Sequence, residues 1–166
     1  EGGYYRRLFT SAQQAAGGRA ACSSILFLLT AGAASRWHRV DADELWFFHE
    51  GAPLELLVSD APQVLRAERL GPVAPAQLPQ RVVPAAAWQA ARSLGDFTLV
   101  SCSVAPEFRF EGFRLLADDS LAQAEWPWLI EQHPEYHALL EDPEMAMDKE
   151  FTPEDGQMNP FLHLSL

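Results

Sequence analysis

Over the first two thirds of the chain, apolar residues come in short runs separated by turn residues, the spacing of an all-β sandwich or barrel. The pattern predicts strands over 4–9, 22–29, 35–40, 44–48, 54–58, 64–70, 80–83, 88–91 and 97–104. Gly-Gly, Gly-Ala-Pro, Gly-Pro and Gly-Asp breakers stand between them, and helical periodicity is hard to find. Leu54, Leu56 and Val58 alternate with Glu55, Leu57 and Ser59, which predicts an outer strand with one wet face. Ile25 to Leu29 is apolar on both faces, as a strand buried between two layers would be. Nine short strands favour a closed architecture, because closure removes exposed edges. After Pro106 the pattern changes: Phe108, Phe110 and Phe113 continue an aromatic edge, and Ala117 to Ser120 reads as a linker. Two helices are then expected, over 121–124 and 134–140, the second with His133 as N-cap and Pro134 at its first position.

Charge divides the chain at the same place. Residues 1–116 hold 11 Arg against 11 acidic residues, whereas residues 117–166 hold Lys149 against 12, so the whole net charge of −11 belongs to the tail. Two segments follow as the expectation, a neutral β body over 1–116 and an acidic, partly helical appendage over 117–166. Neither nucleic acid nor an anionic membrane would attract such a charge, so neither is expected as a partner. No apolar run approaches the roughly 20 residues of a membrane span. The start, Glu1-Gly2-Gly3-Tyr4, has no initiator methionine and no signal-peptide pattern, so it reads as trimmed and the protein as soluble and cytoplasmic. Cys22 and Cys102 lie in separate apolar segments and are expected as buried free thiols, in keeping with a reducing compartment.

Candidate chemistry concentrates in residues 32–51. Two strands around an acidic turn at 41–43 put His38 and Val40 on one face and continue it through Glu44, Trp46 and Phe48. An imidazole and a carboxylate among large apolar side chains cost free energy unless paired, metal-bound or wet, so this face is expected to line a cavity.

The spacing Gly32, five residues, His38, one residue, Val40, three residues, Glu44, six residues, Gly51 resembles the first conserved motif of the cupin superfamily, which has a second histidine where this chain has Val40. Pro84-Ala85-Ala86-Ala87-Trp88-Gln89 resembles the second motif, with Ala86 at its glycine and Gln89 at its histidine. Glu1-Gly2-Gly3-Tyr4, Phe27-Leu28-Leu29-Thr30, Trp37-His38-Arg39-Val40, Asp43-Glu44-Leu45-Trp46, Pro53-Leu54-Glu55-Leu56 and Val83-Pro84 with Trp88-Gln89-Ala90 narrow the resemblance to a small subfamily of uncharacterised cupins. It implies a double-stranded β-helix, the cupin jelly-roll barrel, often dimeric, with a pocket in its mouth. The stretch Glu131 to Leu166, with His133-Pro134-Glu135-Tyr136-His137 and Asn159-Pro160-Phe161-Leu162-His163, resembles the end of a second family of small uncharacterised bacterial proteins, which together with the break in charge suggests a fusion or a joined fragment. His133 and His137 are not expected to share a helical face as a zinc pair, because an N-cap side chain does not lie on it.

Three functions stay open beside a purely structural reading, in which His38 and Glu44 merely satisfy each other in the barrel. Cupins that hold a metal use three His and one Glu; here His38, Glu44 and Gln89 are the positions left for Fe, Mn, Ni or Zn. His49, an odd offset from Glu44, points to the other face. Without metal, His38 is a candidate base oriented by Glu44 for a carbohydrate-type epimerase or isomerase, with its partner acid unplaced between Tyr4 and Tyr5. As a binding module, His38, Glu44 and Gln89 would hydrogen-bond a small polar, sugar-like molecule, while Phe27, Trp46 and Phe48 give apolar and stacking surface. Trp37 and Trp88 point away from that face and are expected to pack or form an interface, and a homodimer is the expected assembly.

Overall fold

The computed structural model describes residues 3–139 and 149–150. Its strands are β1 (Tyr4–Thr10), β2 (Ser23–Thr30), β3 (Ala34–Val40), β4 (Asp43–Gly51), β5 (Leu54–Ser59), β6 (Arg66–Leu70), β7 (Gln77–Leu78), β8 (Gln80–Val83), β9 (Trp88–Ser93), β10 (Phe97–Ala105), β11 (Phe113–Leu115) and β12 (Lys149–Glu150). All nine expected strands are present; β7, β11 and β12, of two or three residues each, are too short to leave a pattern. They form two six-stranded sheets, β12-β1-β2-β10-β4-β8 and β11-β3-β9-β5-β6-β7, in the jelly-roll arrangement. Pairing is antiparallel except for β1 with β12 and β6 with β7.

The core lies between the sheets. Inward side chains at alternate positions, Phe27 and Leu29 of β2, Leu54, Leu56 and Val58 of β5, and Val100 and Cys102 of β10, meet Trp46 in one cluster. Gly51 closes β4 at φ +93°, where a Cβ would run into the Phe97 carbonyl oxygen, so glycine is required for this close approach.

Beyond the barrel, α1 (Ser120–Glu125), α2 (Pro127–Gln132) and a 3-10 segment (Pro134–Leu139) follow. Asp119, expected in a linker, is the N-cap of α1 and accepts a hydrogen bond from the Ala122 N–H at 3.0 Å. Helix α2 escaped the sequence pattern because it is one short turn and a half, although Pro127 sits at its first turn as proline prefers. His133 is the C-cap of α2, its N–H donating to the Leu129 carbonyl at 2.8 Å, and it also stands as expected before Pro134, its carbonyl accepting the Tyr136 N–H at 3.0 Å. The segment after it is 3-10 rather than α, and Leu140 lies outside the described residues.

These helices cover the outer face of the second sheet. Trp37, Leu57, Trp88 and Ala90 are buried beneath Trp126, Trp128, Leu129, Tyr136 and Leu139. Trp126 meets Trp37 and Trp88 edge-on, with ring centroids 5.0 and 5.9 Å apart. Polar contacts frame the patch: Arg39 pairs with Asp119 at 3.3 Å, and Arg92 pairs with Glu55 at 2.7 Å while lying over the Tyr136 ring. The wet face expected of 54–58 is therefore corrected. Leu57 is 0% exposed because a layer more than 60 residues further along the chain folds back over it.

Candidate functional site

The site is built where β3 turns into β4. The turn is pinned from both sides: Arg19 donates to both oxygens of Asp41, at 2.8 and 3.0 Å, and Asp43 accepts the Ala85 N–H at 2.8 Å. The Arg19 guanidinium holds the Asp41 carboxyl below the usual carboxylate range. These acids are anchors, and the turn they fix carries His38 and Glu44 into the barrel.

His38 is 1% exposed. Its Nδ1–H donates to the Arg36 carbonyl at 2.6 Å, and its ring stacks on Phe113 with centroids 5.3 Å apart. A carbonyl only accepts, so Nδ1 carries the proton and the lone pair of the neutral ring sits on Nε2, on the ring edge away from that carbonyl. Glu44, 7% exposed, accepts from Gln89 Nε2 at 2.5 Å, and Gln89 Oε1 accepts from Trp46 Nε1 at 3.0 Å. The indole can only donate, which fixes the amide: oxygen toward Trp46, nitrogen toward Glu44. Trp46, Gln89 and Glu44 thus form a directional relay that ends on the carboxylate.

His38, Glu44 and Phe27 line a cavity of about 80 Å³ together with Tyr5, Arg7, Ser23, Ser24, Ile25, Val40, Cys102, Val104, Phe108 and Phe110. Gln89 lies behind it as the support of Glu44. Trp46 sits in the core cluster with Phe48 packed against it, so these two form the wall behind the lining. His49 is exposed and bonds Ser101 Oγ at 2.8 Å. Ala86, at the position of the second motif's glycine, takes φ +67°, the left-handed conformation that glycine favours. Neither Cys22 nor Cys102 is in a disulfide; Cys102 is buried in the cavity wall, while Cys22 is only half-buried. Sequence reasoning did not place Tyr5, Arg7 or Cys102 at the site. The available signal was alternation, Tyr5 with Arg7 and Cys102 with Val104, but it says which residues share a face and not which face lines a cavity.

These residues do not fit the metal centre of a three-His, one-Glu cupin. Val40 has no donor atom, and the Gln89 oxygen is held by the indole. Among the described residues no group of three or more His, Cys, Asp or Glu side chains is arranged to hold a metal ion. His163, the third histidine of the tail, lies outside the described residues.

Two facing sheets with a mouth cavity bearing a His and a Glu define a cupin barrel. The chain belongs to the cupin superfamily: residues 1–116 match the family described as Cupin superfamily (DUF985), and residues 118–166 match a domain of unknown function, DUF1841. Among solved structures it is similar to a Shewanella oneidensis protein, with 32% identity and a TM-score of 0.69 over 90% of this chain and 89% of that one. A hypothetical protein from Leishmania major is 31% identical, with a TM-score of 0.67 over 84% of this chain and 88% of that one. Oxalate decarboxylase from Bacillus subtilis, 14% identical with a TM-score of 0.58 over 96% of this chain and 41% of that one, shares the fold alone. No curated protein matches the chain. No helix among the described residues is long and apolar enough to cross a membrane.

Proposed function

We propose that the barrel binds a small polar, sugar-like molecule in the mouth cavity and moves a proton on it without a metal, as a carbohydrate-type epimerase or isomerase. The observation that carries this reading is the presence of Tyr5 in the same cavity as His38 and Glu44, which supplies the partner acid such chemistry needs. In the proposed step His38 Nε2 takes the proton from a carbon next to a carbonyl. The electron pair of that C–H bond delocalises into an enolate, and the Tyr5 hydroxyl returns a proton to the carbon from the other side. The Tyr5 phenolate is then reprotonated from solvent and His38 releases its proton, so atoms and charge balance. Glu44, fixed by Gln89 and Trp46, accepts from a substrate hydroxyl and sets its orientation.

The test is exchange in heavy water. Carbonyl sugars incubated with the protein should gain deuterium at the carbon next to the carbonyl, read by NMR. His38→Ala should abolish the exchange, and Tyr5→Phe should slow it by about 10²- to 10⁴-fold. Full exchange in His38→Ala removes that residue as the base. Stoichiometric Fe, Mn, Ni or Zn in the purified protein, with exchange lost on chelation, would return the reading to a metal enzyme. If ligands shift the melting temperature of wild type but not of Glu44→Gln and no exchange occurs, the protein is a binding module.

A further inference from the structure

The geometry points to an anionic hydroxy acid as the class of molecule the cavity selects, with Arg7 as the residue that reads its carboxylate; this rests on the cavity being the binding site. Among the described residues, Arg7 is the one guanidinium that lines the cavity. It stands opposite Ile25, which stands opposite Cys102, which in turn stands opposite Trp46, and Glu44 lies two residues along from Trp46. Arg7 and Glu44 are thus three strand spacings apart, roughly 14 Å across the sheet. Arg7 is exposed at the rim and Glu44 is buried, so the cavity has a cationic outer end and an anionic inner end.

Each end sorts the functional groups of a ligand. The Glu44 carboxylate only accepts, so the group against it must offer an O–H or N–H, and a second carboxylate there would be repelled. The Arg7 guanidinium only donates; its bond to Thr10 Oγ1, at 3.1 Å, occupies one of five N–H donors. An acceptor is favoured there, and a carboxylate most of all, because it matches the guanidinium fork. Between the ends, Ile25, Cys102 and Val104 offer mostly apolar surface, with Ser23 beside them, suited to a short carbon chain that carries a hydroxyl. A molecule with a carboxylate at one end and hydroxyls at the other satisfies all three regions in one orientation.

Binding can be measured without turnover, using aldonates of three to six carbons against polyols of the same chain length, D-gluconate against sorbitol being the longest pair. In ligand-observed NMR titrations at low salt, wild type should bind the acid at least tenfold more tightly than the polyol. Raising the salt should shrink that preference. Arg7→Gln should bring the acid down to the affinity of the polyol, and Arg7→Lys should retain part of the difference. Equal affinities in wild type, or a preference that survives in Arg7→Gln, overturn the assignment of Arg7 and leave the cavity reading standing. Failure of every acid and every polyol to bind at tens of millimolar (on the order of the weakest specific binding) overturns the cavity reading, and this inference with it.

Discussion

At the scale of single residues, the site depends on a glutamine that occupies a position where other cupins present a histidine. Gln89 is 1% exposed and has a donor and an acceptor, and the fold uses both: one satisfies the buried Trp46 N–H, the other the Glu44 carboxylate. Gln89→Leu keeps much of the volume and removes both bonds. A buried polar group left without its partner costs about 1–3 kcal/mol, so the loss should come to about 2–5 kcal/mol, seen as a lower urea midpoint at unchanged slope. Adding Glu44→Leu should recover part of it, because the carboxylate that lost the Gln89 amide is removed as well. A loss under about 0.5 kcal/mol in the single variant, the size of a neutral surface change, would mean that the relay is not what holds Glu44. His38 and Glu44 were legible in the sequence because their spacing places both on one face beside a turn. Tyr5, Arg7 and Cys102 were not, since they reach the site through long-range strand pairing, from β1 through β2 and β10 to β4, which no local window contains.

At the scale of elements, strands announced themselves and the appendage did so in part, with α2 missed. Alternation located nine strands within a few residues, and it turned Trp37 and Trp88 away from the site, where packing was expected and is found. Helix α1, expected over 121–124, is found over 120–125, whereas α2, also of six residues, is too short for a 3.6-residue period to show; both are stabilised mainly by what they cover. Tyr136 reports on that docking. Burial, reinforced by the negative charges of Glu55 and Glu135, raises its phenol above the ordinary value of 10.0. In the unfolded chain the phenol ionises near 10, while the folded one keeps its proton, so the stability it contributes is whole below about pH 10 and is lost as pH rises through the folded value. Alkaline titration from about pH 9 upward should therefore weaken the fold, with the emission of Trp126 and Trp128 as the readout. Tyr136→Phe should flatten this dependence and cost under about 1 kcal/mol at neutral pH, since its hydroxyl bond to Glu55, at 3.4 Å, is long. An alkaline slope equal to that of wild type would show that the phenol does not titrate with docking.

At the scale of the whole molecule, the boundary seen in charge and in family membership is not a boundary in packing. Residues 1–116 and 118–166 match different families, yet Trp37, Leu57 and Trp88 of the first are buried by side chains of the second. Fully burying one large apolar side chain contributes about 1.5–3 kcal/mol. Ending the chain at residue 116 would return these three to water, a loss of roughly 5 kcal/mol or more from a domain whose whole stability is typically about 5–15. It would also leave a contiguous apolar face on β3, β5 and β9, of the kind through which a second copy associates. The shortened protein should therefore melt well below the full chain and self-associate, seen by sedimentation at increasing concentration. Where it proves too unstable to purify, Leu129→Ser in the full chain offers the milder test, with a buried leucine of the covering layer replaced by a hydroxyl. It should lower stability by about 2–5 kcal/mol and free the indoles to quencher. If both variants keep the melting temperature and the oligomeric state of the full chain, the outer layer is a passenger on the barrel. If they behave as expected, the acidic segment holds the face of the sheet whose inner side positions His38 and Gln89, and the two families share one fold in this chain.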